Sequence, residues 1–144
     1  MEEQKCSHLK IEDKKMFPLQ EGDAFRKIYQ AQTDLQERLG RLVVIRESNM
    51  QEKCKLIMED LFHLNAEMAE MLERLPFKHW KKYDYEKMVD WVSEDQRNET
   101  LFEYIDAFHF FLNIGLALGF SAEEVYYNYL AKNKENHARQ DRGY

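Results

Sequence analysis

Residues 99–118 read ETLFEYIDAFHFFLNIGLAL. Leu101, Tyr104, Ile105, Phe108, Phe111, Leu112, Ile114 and Leu118 of this stretch fall at every angle around a helix. A helix that is apolar all round is a central one, packed on all sides. Two carboxylates interrupt it: Glu103 and Asp106 stand three residues apart, about 60° around the axis and so on one face. Charges in an apolar setting are costly unless they are paired or bound to metal.

The flanks of this stretch carry their own punctuation. Gly119 is suited to the left-handed turn that closes a helix, and Ser121 with Glu124 forms a capping box that opens the next. That helix carries Val125, Tyr126, Tyr129 and Leu130 before it turns polar. Toward the N-terminus, Cys54, Ile57, Leu61, Asn65, Met68 and Leu72 recur at helical spacing over residues 51–74, and Pro76 ends the pattern. A first long helix, entered near Pro18, Glu21 and Asp23, carries Phe25, Ile28, Tyr29, Leu35, Leu39, Leu42 and Val43, with Gln32 inside that stripe. Residues 75–97 are a connection rich in Lys, Trp and Tyr, with a short helix expected over 84–93, and residues 1–20 read as irregular. The expected fold is all-α: one domain over residues 1–144, a bundle of four main helices plus short ones.

Composition agrees and narrows the function. In 144 residues there are only 5 Gly and 2 Pro, too few for a turn-rich β sandwich, while 33% charged residues suit helices with solvated faces. The net charge of -6 supplies no basic footprint, so duplex nucleic acid is not an expected partner. Cys6 and Cys54 form no CxxC pair, which argues against a structural zinc site and for a reduced, cytoplasmic setting. The charged start MEEQKCSHLKIEDKK has no apolar signal core, and no uninterrupted apolar run reaches the roughly 18 residues of a membrane span.

The helix over 51–74 repeats the spacing of the carboxylates: Glu67 and Glu70, in AEMAEM, share a face that also carries Asp60 and His63. ExxE followed by ExxD on two facing helices would cluster four carboxylates. Such a cluster is repulsive without a cation, and its oxygens suit a hard one such as Mg²⁺. Taken singly, each element has a plainer reading. An ExxE is usually a solvated helix face, Glu103 and Asp106 could be paired with Lys or Arg, and His109 on the same helix is a hydrogen-bonded core residue. Asn113 either fixes a carboxylate or lines a pocket, and Gln32 is either a core amide or a reader of a base edge.

Two basic elements stand out in an acidic chain. Phe77-Lys78-His79-Trp80-Lys81-Lys82 follows the ExxE helix directly. In the C-terminal KNKENHARQDRGY, Lys132, Asn136 and Arg139 at i, i+4 and i+7 share a helical face, a combination suited to a polyphosphate. On composition alone this tail is a soluble, fraying helix end.

The ordered set — Gln32, ExxE, FKHWKK, EYIDAFHFFLNIGLALG and YLAKNKENHARQDRGY — resembles the dimeric all-α dUTPase family, within the MazG-like all-α NTP pyrophosphatase group. The resemblance runs from about Gln32 to Tyr144. It implies a homodimer that hydrolyses a deoxynucleoside triphosphate to monophosphate and pyrophosphate. dUTP is the expected substrate, and dCTP, or both, the alternative. It implies two or more Mg²⁺ ions held by Glu67, Glu70, Glu103 and Asp106, with Glu70 also orienting or deprotonating the attacking water. Lys132, Asn136 and Arg139, helped by Lys78, would hold phosphates, and Gln32 and Trp80 would face the base or sugar, with Asn113 a further candidate for lining the substrate pocket. The first helix reads QTDLQERL where many relatives have Asn near Gln36, so its base contacts depart from the family pattern. A reading of another class, a non-enzymatic helical interaction module, would leave the buried carboxylates without a purpose.

Overall fold

A computed structural model describes residues 24–85 and 94–143. The irregular segment expected over 1–20 and most of the short helix expected over 84–93 lie outside the described residues. Five helices follow one another: α1 (Ala24–Arg38), α2 (Arg41–Glu47), α3 (Met50–Glu73), α4 (Glu94–Leu118) and α5 (Ala122–Asp141). Among the described residues there is no strand, so the chain is all-α as its periodicity predicts.

The described residues divide into two compact units, 58–85 with 94–111 and 24–57 with 112–143. In the second, the long first helix expected from the sequence is two helices. Gly40 sits between them at φ 72°, a left-handed conformation that costs glycine nothing and breaks the helical ladder there. α1 packs on α2 and α5. It buries Tyr29, Gln32 and Gln36, not the apolar stripe of Ile28, Leu35 and Leu39, which is exposed. Leu42, Ile45 and Ala117 form a small core, covered by Leu56, Ile57 and Leu116. The Tyr29 hydroxyl donates to the Phe120 carbonyl at 2.5 Å and ties α1 to the end of α4.

The punctuation around Gly119 is as the sequence predicts. Gly119 lies at φ 79°, and the Phe120 N–H returns to the Gly115 carbonyl at 3.0 Å. The Gly119 N–H bonds the Leu116 carbonyl at 3.1 Å, completing a Schellman turn. Ser121 accepts from the Glu124 N–H at 3.1 Å and Glu124 accepts from the Ser121 N–H at 2.8 Å. The Ser121 N–H holds the Glu124 carboxyl below its ordinary range. Replacing Ser121 with Ala should cost about 1 kcal/mol. A melt should show this as a midpoint fall of roughly 2–4 °C; an unchanged midpoint would mean the cap is dispensable.

In the first unit, α3 faces α4 through a largely polar seam. Asp60 is fully buried, Thr100, Glu103 and Ala107 are buried, and the His63 ring stacks on Phe110 at 5.1 Å. The apolar residues Met58, Phe62, Tyr104 and Phe111 are exposed instead. The expectation that α4 is buried on every side is therefore corrected. Its buried positions are 100, 103, 107, 112, 113 and 117, while Tyr104, Ile105, Phe111 and Leu118 are exposed. By length and mean hydropathy α4 also qualifies as a helix able to cross a membrane, which the uninterrupted-run criterion missed. Glu103 and Asp106 sit in the middle of it, where a lipid-facing helix would pay most for charge.

Candidate metal and phosphate site

On α3 the carboxylates of Glu67 and Glu70 lie one turn apart, and from α4 Glu103 joins them. One ligand atom from each of the three lies within 4.8 Å of the others, a spacing that a single cation can bridge. Glu103 is buried, Glu67 half-buried and Glu70 exposed. The cluster is thus rooted in the seam and open at one side.

Its electrostatics are those of a site short of positive charge. Burial raises the pKa of Glu67, and the neighbouring carboxylates of Glu70, Asp106 and Glu103 raise it further, against a smaller lowering by His63. Burial likewise raises Asp106, with His109 lowering it and Glu103 raising it. Asp106 is therefore within electrostatic reach of both helices' acids, although the three closest donors are Glu67, Glu70 and Glu103. A donor set made only of carboxylate oxygens, with one member protonated more readily than usual, fits a hard divalent cation.

One cation of the protein already touches the cluster. Arg74, in the turn after α3, donates from Nε to Glu103 Oε1 at 2.7 Å and from Nη2 to the same oxygen, and its Nη2 lies 3.7 Å from Glu99 Oε2. Sequence reading missed Arg74. The signal was available, because Arg74 stands seven residues after Glu67 and four after Glu70, on the face of α3 that they share.

Nearby in sequence, Lys78 Nζ bonds Glu73 Oε2 at 2.9 Å and lies 5.3 Å over the Phe77 ring. The Glu73 carboxylate holds the Lys78 ammonium above its ordinary range. Trp80 is exposed, its ring edge-on to His79 at 5.0 Å.

The remaining predicted residues fall in the other unit. Gln32 and Asn113 come together: Gln32 Nε2 donates to Asn113 Oδ1 at 2.6 Å, and both are buried. One turn on, Gln36 is buried with its Oε1 accepting no hydrogen bond. The C-terminal residues Lys132, Asn136 and Arg139 lie on α5, which runs unbroken to Asp141. Arg139 does not wait unpaired for an anion: its Nε lies 3.3 Å from Glu135 Oε1, which also accepts from Arg142 at 2.7 Å.

The chain is all-α, with three carboxylates gathered between two of its helices in an arrangement that could hold a hard cation. The sequence model of the family described as dUTPase matches residues 24–119 and 111–144, and the chain belongs to this family. It is 51% identical over 71 residues to a dCTP pyrophosphatase of Enterobacteria phage LZ5, covering 47% of the chain and 41% of the relative. Identity to the dCTP pyrophosphatase of Enterobacteria phage T4 is 37% over 103 residues, covering 66% of the chain and 60% of the relative. A DNA replication protein of the same phage is 34% identical over 93 residues, 59% of the chain and 24% of that protein. The chain thus spans less than two thirds of the length of the curated relatives it matches. No solved structure matches it.

Proposed function

We propose that this chain hydrolyses a deoxynucleoside triphosphate, dCTP foremost, to the monophosphate and pyrophosphate with the help of Mg²⁺. The observation that carries the reading is the convergence of Glu67, Glu70 and Glu103 within 4.8 Å, where burial and the neighbouring carboxylates resist the ionisation of Glu67. The preference for dCTP replaces the dUTP expected from the sequence: the pyrophosphatase relatives are named for dCTP, while the family is described as dUTPase. dUTP is the second reading.

In this scheme Glu67, Glu70, Glu103 and Asp106 hold the metal, and Glu70, the exposed member, orients the attacking water. Bound Mg²⁺ supplies charge neutralisation on the triphosphate and a water of lowered pKa. Lys132, Asn136 and Arg139, with Lys78, bind the phosphates that leave. Gln32, Asn113 and Trp80 face the base or sugar. The partner is a second copy of the chain, which would cover the exposed Met58, Phe62, Tyr104 and Phe111. Light scattering should give twice the 17.5 kDa chain mass.

A panel of deoxynucleoside triphosphates tests the reaction. dCTP should give monophosphate and pyrophosphate at the earliest time points, ahead of or beside dUTP. Orthophosphate as the first product would overturn the pyrophosphohydrolase reading, and preference for a purine nucleotide would overturn the substrate.

The raised carboxylates give a pH test of the metal. A carboxyl whose pKa is higher in the folded than in the unfolded chain favours folding at low pH. That advantage is lost as pH rises from the ordinary carboxylate range through the raised value. Near neutrality the metal-free protein carries this penalty, and a cation relieves it. Mg²⁺ should therefore raise the melting temperature, and more so at about pH 7.5 than at about pH 5, where protons compete. Glu67→Gln should melt at least as high as the parent without metal and lose the Mg²⁺ response; a full response in that variant would remove Glu67 from the site.

A further inference from the structure

Arg74 is a cation paired with a carboxylate of the cluster, and its geometry is selective. Nε and Nη2 converge on a single oxygen, Oε1 of Glu103, so the guanidinium grips one side of the carboxylate. The Glu103 side chain is 11% exposed and that of Arg74 34%, so the pair lies partly inside the seam. A glutamate has three side-chain torsions, and a ligating one must be held in a single rotamer before a cation can use it. We propose that Arg74 is a positioning residue for the cation site: by gripping Oε1 it fixes Glu103 so that its other oxygen is presented toward Glu67 and Glu70. The inference rests on the metal reading above and adds to it a residue that supports a ligand without touching the ion.

A positive charge beside a cation site should also repel the cation, and the two effects oppose each other. Glu99 decides between them. Its Oε2 lies 3.7 Å from Arg74 Nη2, so the charge of Arg74 is compensated by a second carboxylate besides that of Glu103. The triad Glu99–Arg74–Glu103 carries a net charge of about -1, and water further screens a guanidinium that is a third exposed. What remains is the geometric grip on a nearly buried carboxylate. Lysine cannot reproduce it, because an ammonium is a point charge without the planar fork.

The test is direct binding of Mn²⁺ alone, counted as free ion by electron paramagnetic resonance, with no nucleotide present. Arg74→Met should weaken Mn²⁺ binding by roughly 10–100-fold, and Arg74→Lys by less. In turnover, Arg74→Met should shift the Mg²⁺ concentration for half-maximal rate upward by the same factor, with activity recovering as Mg²⁺ is raised. A merely structural role would lower the rate at all Mg²⁺ concentrations. Equal or tighter Mn²⁺ binding in Arg74→Met overturns the proposal and makes Arg74 a competitor of the metal. If that variant does not fold, Arg74→Lys stands in: Mn²⁺ affinity equal to the parent's overturns the proposal equally. Glu67→Gln serves as control. If it too leaves Mn²⁺ binding unchanged, the metal reading itself has failed; if it abolishes binding while the Arg74 variants do not alter it, only the role of Arg74 has.

Discussion

Glu103→Gln is expected to abolish turnover while leaving helical content intact, and Asp106→Asn to do the same. Glu103 is the member of the cluster most deeply buried, and an amide of the same shape keeps its packing. It changes the charge that a cation would see and replaces an acceptor oxygen with a donor group in half of its orientations. Arg74 keeps Glu99 as an ion-pair partner, so the variant does not strand a guanidinium in the seam. One lost charge-stabilising group is worth on the order of 10²–10³ in rate. Where the lost group also organises the metal, the effect should exceed that. Rates of dCTP hydrolysis at saturating Mg²⁺ check this, alongside far-ultraviolet circular dichroism. Near-normal rates in either variant would mean that the chemistry happens elsewhere.

The carboxylate cluster was legible because its signal is local. ExxE and ExxD each place two acids on one helical face, and acids on helices otherwise full of Leu, Met and Phe have few other uses. Helix ends around Gly119 and Ser121 were legible for the same reason: the deciding residues are within three or four positions of one another. Gly40 was not, since a glycine inside an apolar stripe reads as a tolerated helical residue until the backbone turns left-handed. Burial was the least legible property. Periodicity finds the apolar stripe of a helix but not the surface that covers it. In α1 the side turned inward within the chain is Tyr29, Gln32 and Gln36, and in α3 it is Asp60. The apolar stripes of Ile28, Leu35, Leu61 and Met68 remain exposed, as they would in one half of an assembly. Arg74 escaped because a single Arg at a helix end has many ordinary roles, and only the position of Glu103 across the seam gives it a particular one.

Removing everything after Ala131 is expected to stop hydrolysis of dCTP and dUTP without unfolding the rest. The deleted part of α5 is exposed along most of its length and buries no core residue, so little stability goes with it. Two of its cations are held locally: Arg139 and Arg142 both pair with Glu135. Exposed pairs of this kind contribute at most about 1 kcal/mol. A triphosphate can therefore draw Arg139 away from Glu135 at small cost, exchanging one partly hydrated carboxylate for a more highly charged group. Arg139→Ala alone should weaken transition-state binding by roughly 2–4 kcal/mol, which is about 30- to 1,000-fold in kcat/KM. Binding of Mn²⁺ should survive both changes, because Glu67, Glu70 and Glu103 lie on α3 and α4. That combination, metal retained and turnover lost, separates a phosphate-binding helix from a structural one. If the chain ending at Ala131 hydrolyses either nucleotide as fast as the full chain, Lys132, Asn136 and Arg139 do not touch the substrate, and the phosphates must be held by other groups, with Lys78 the first to examine.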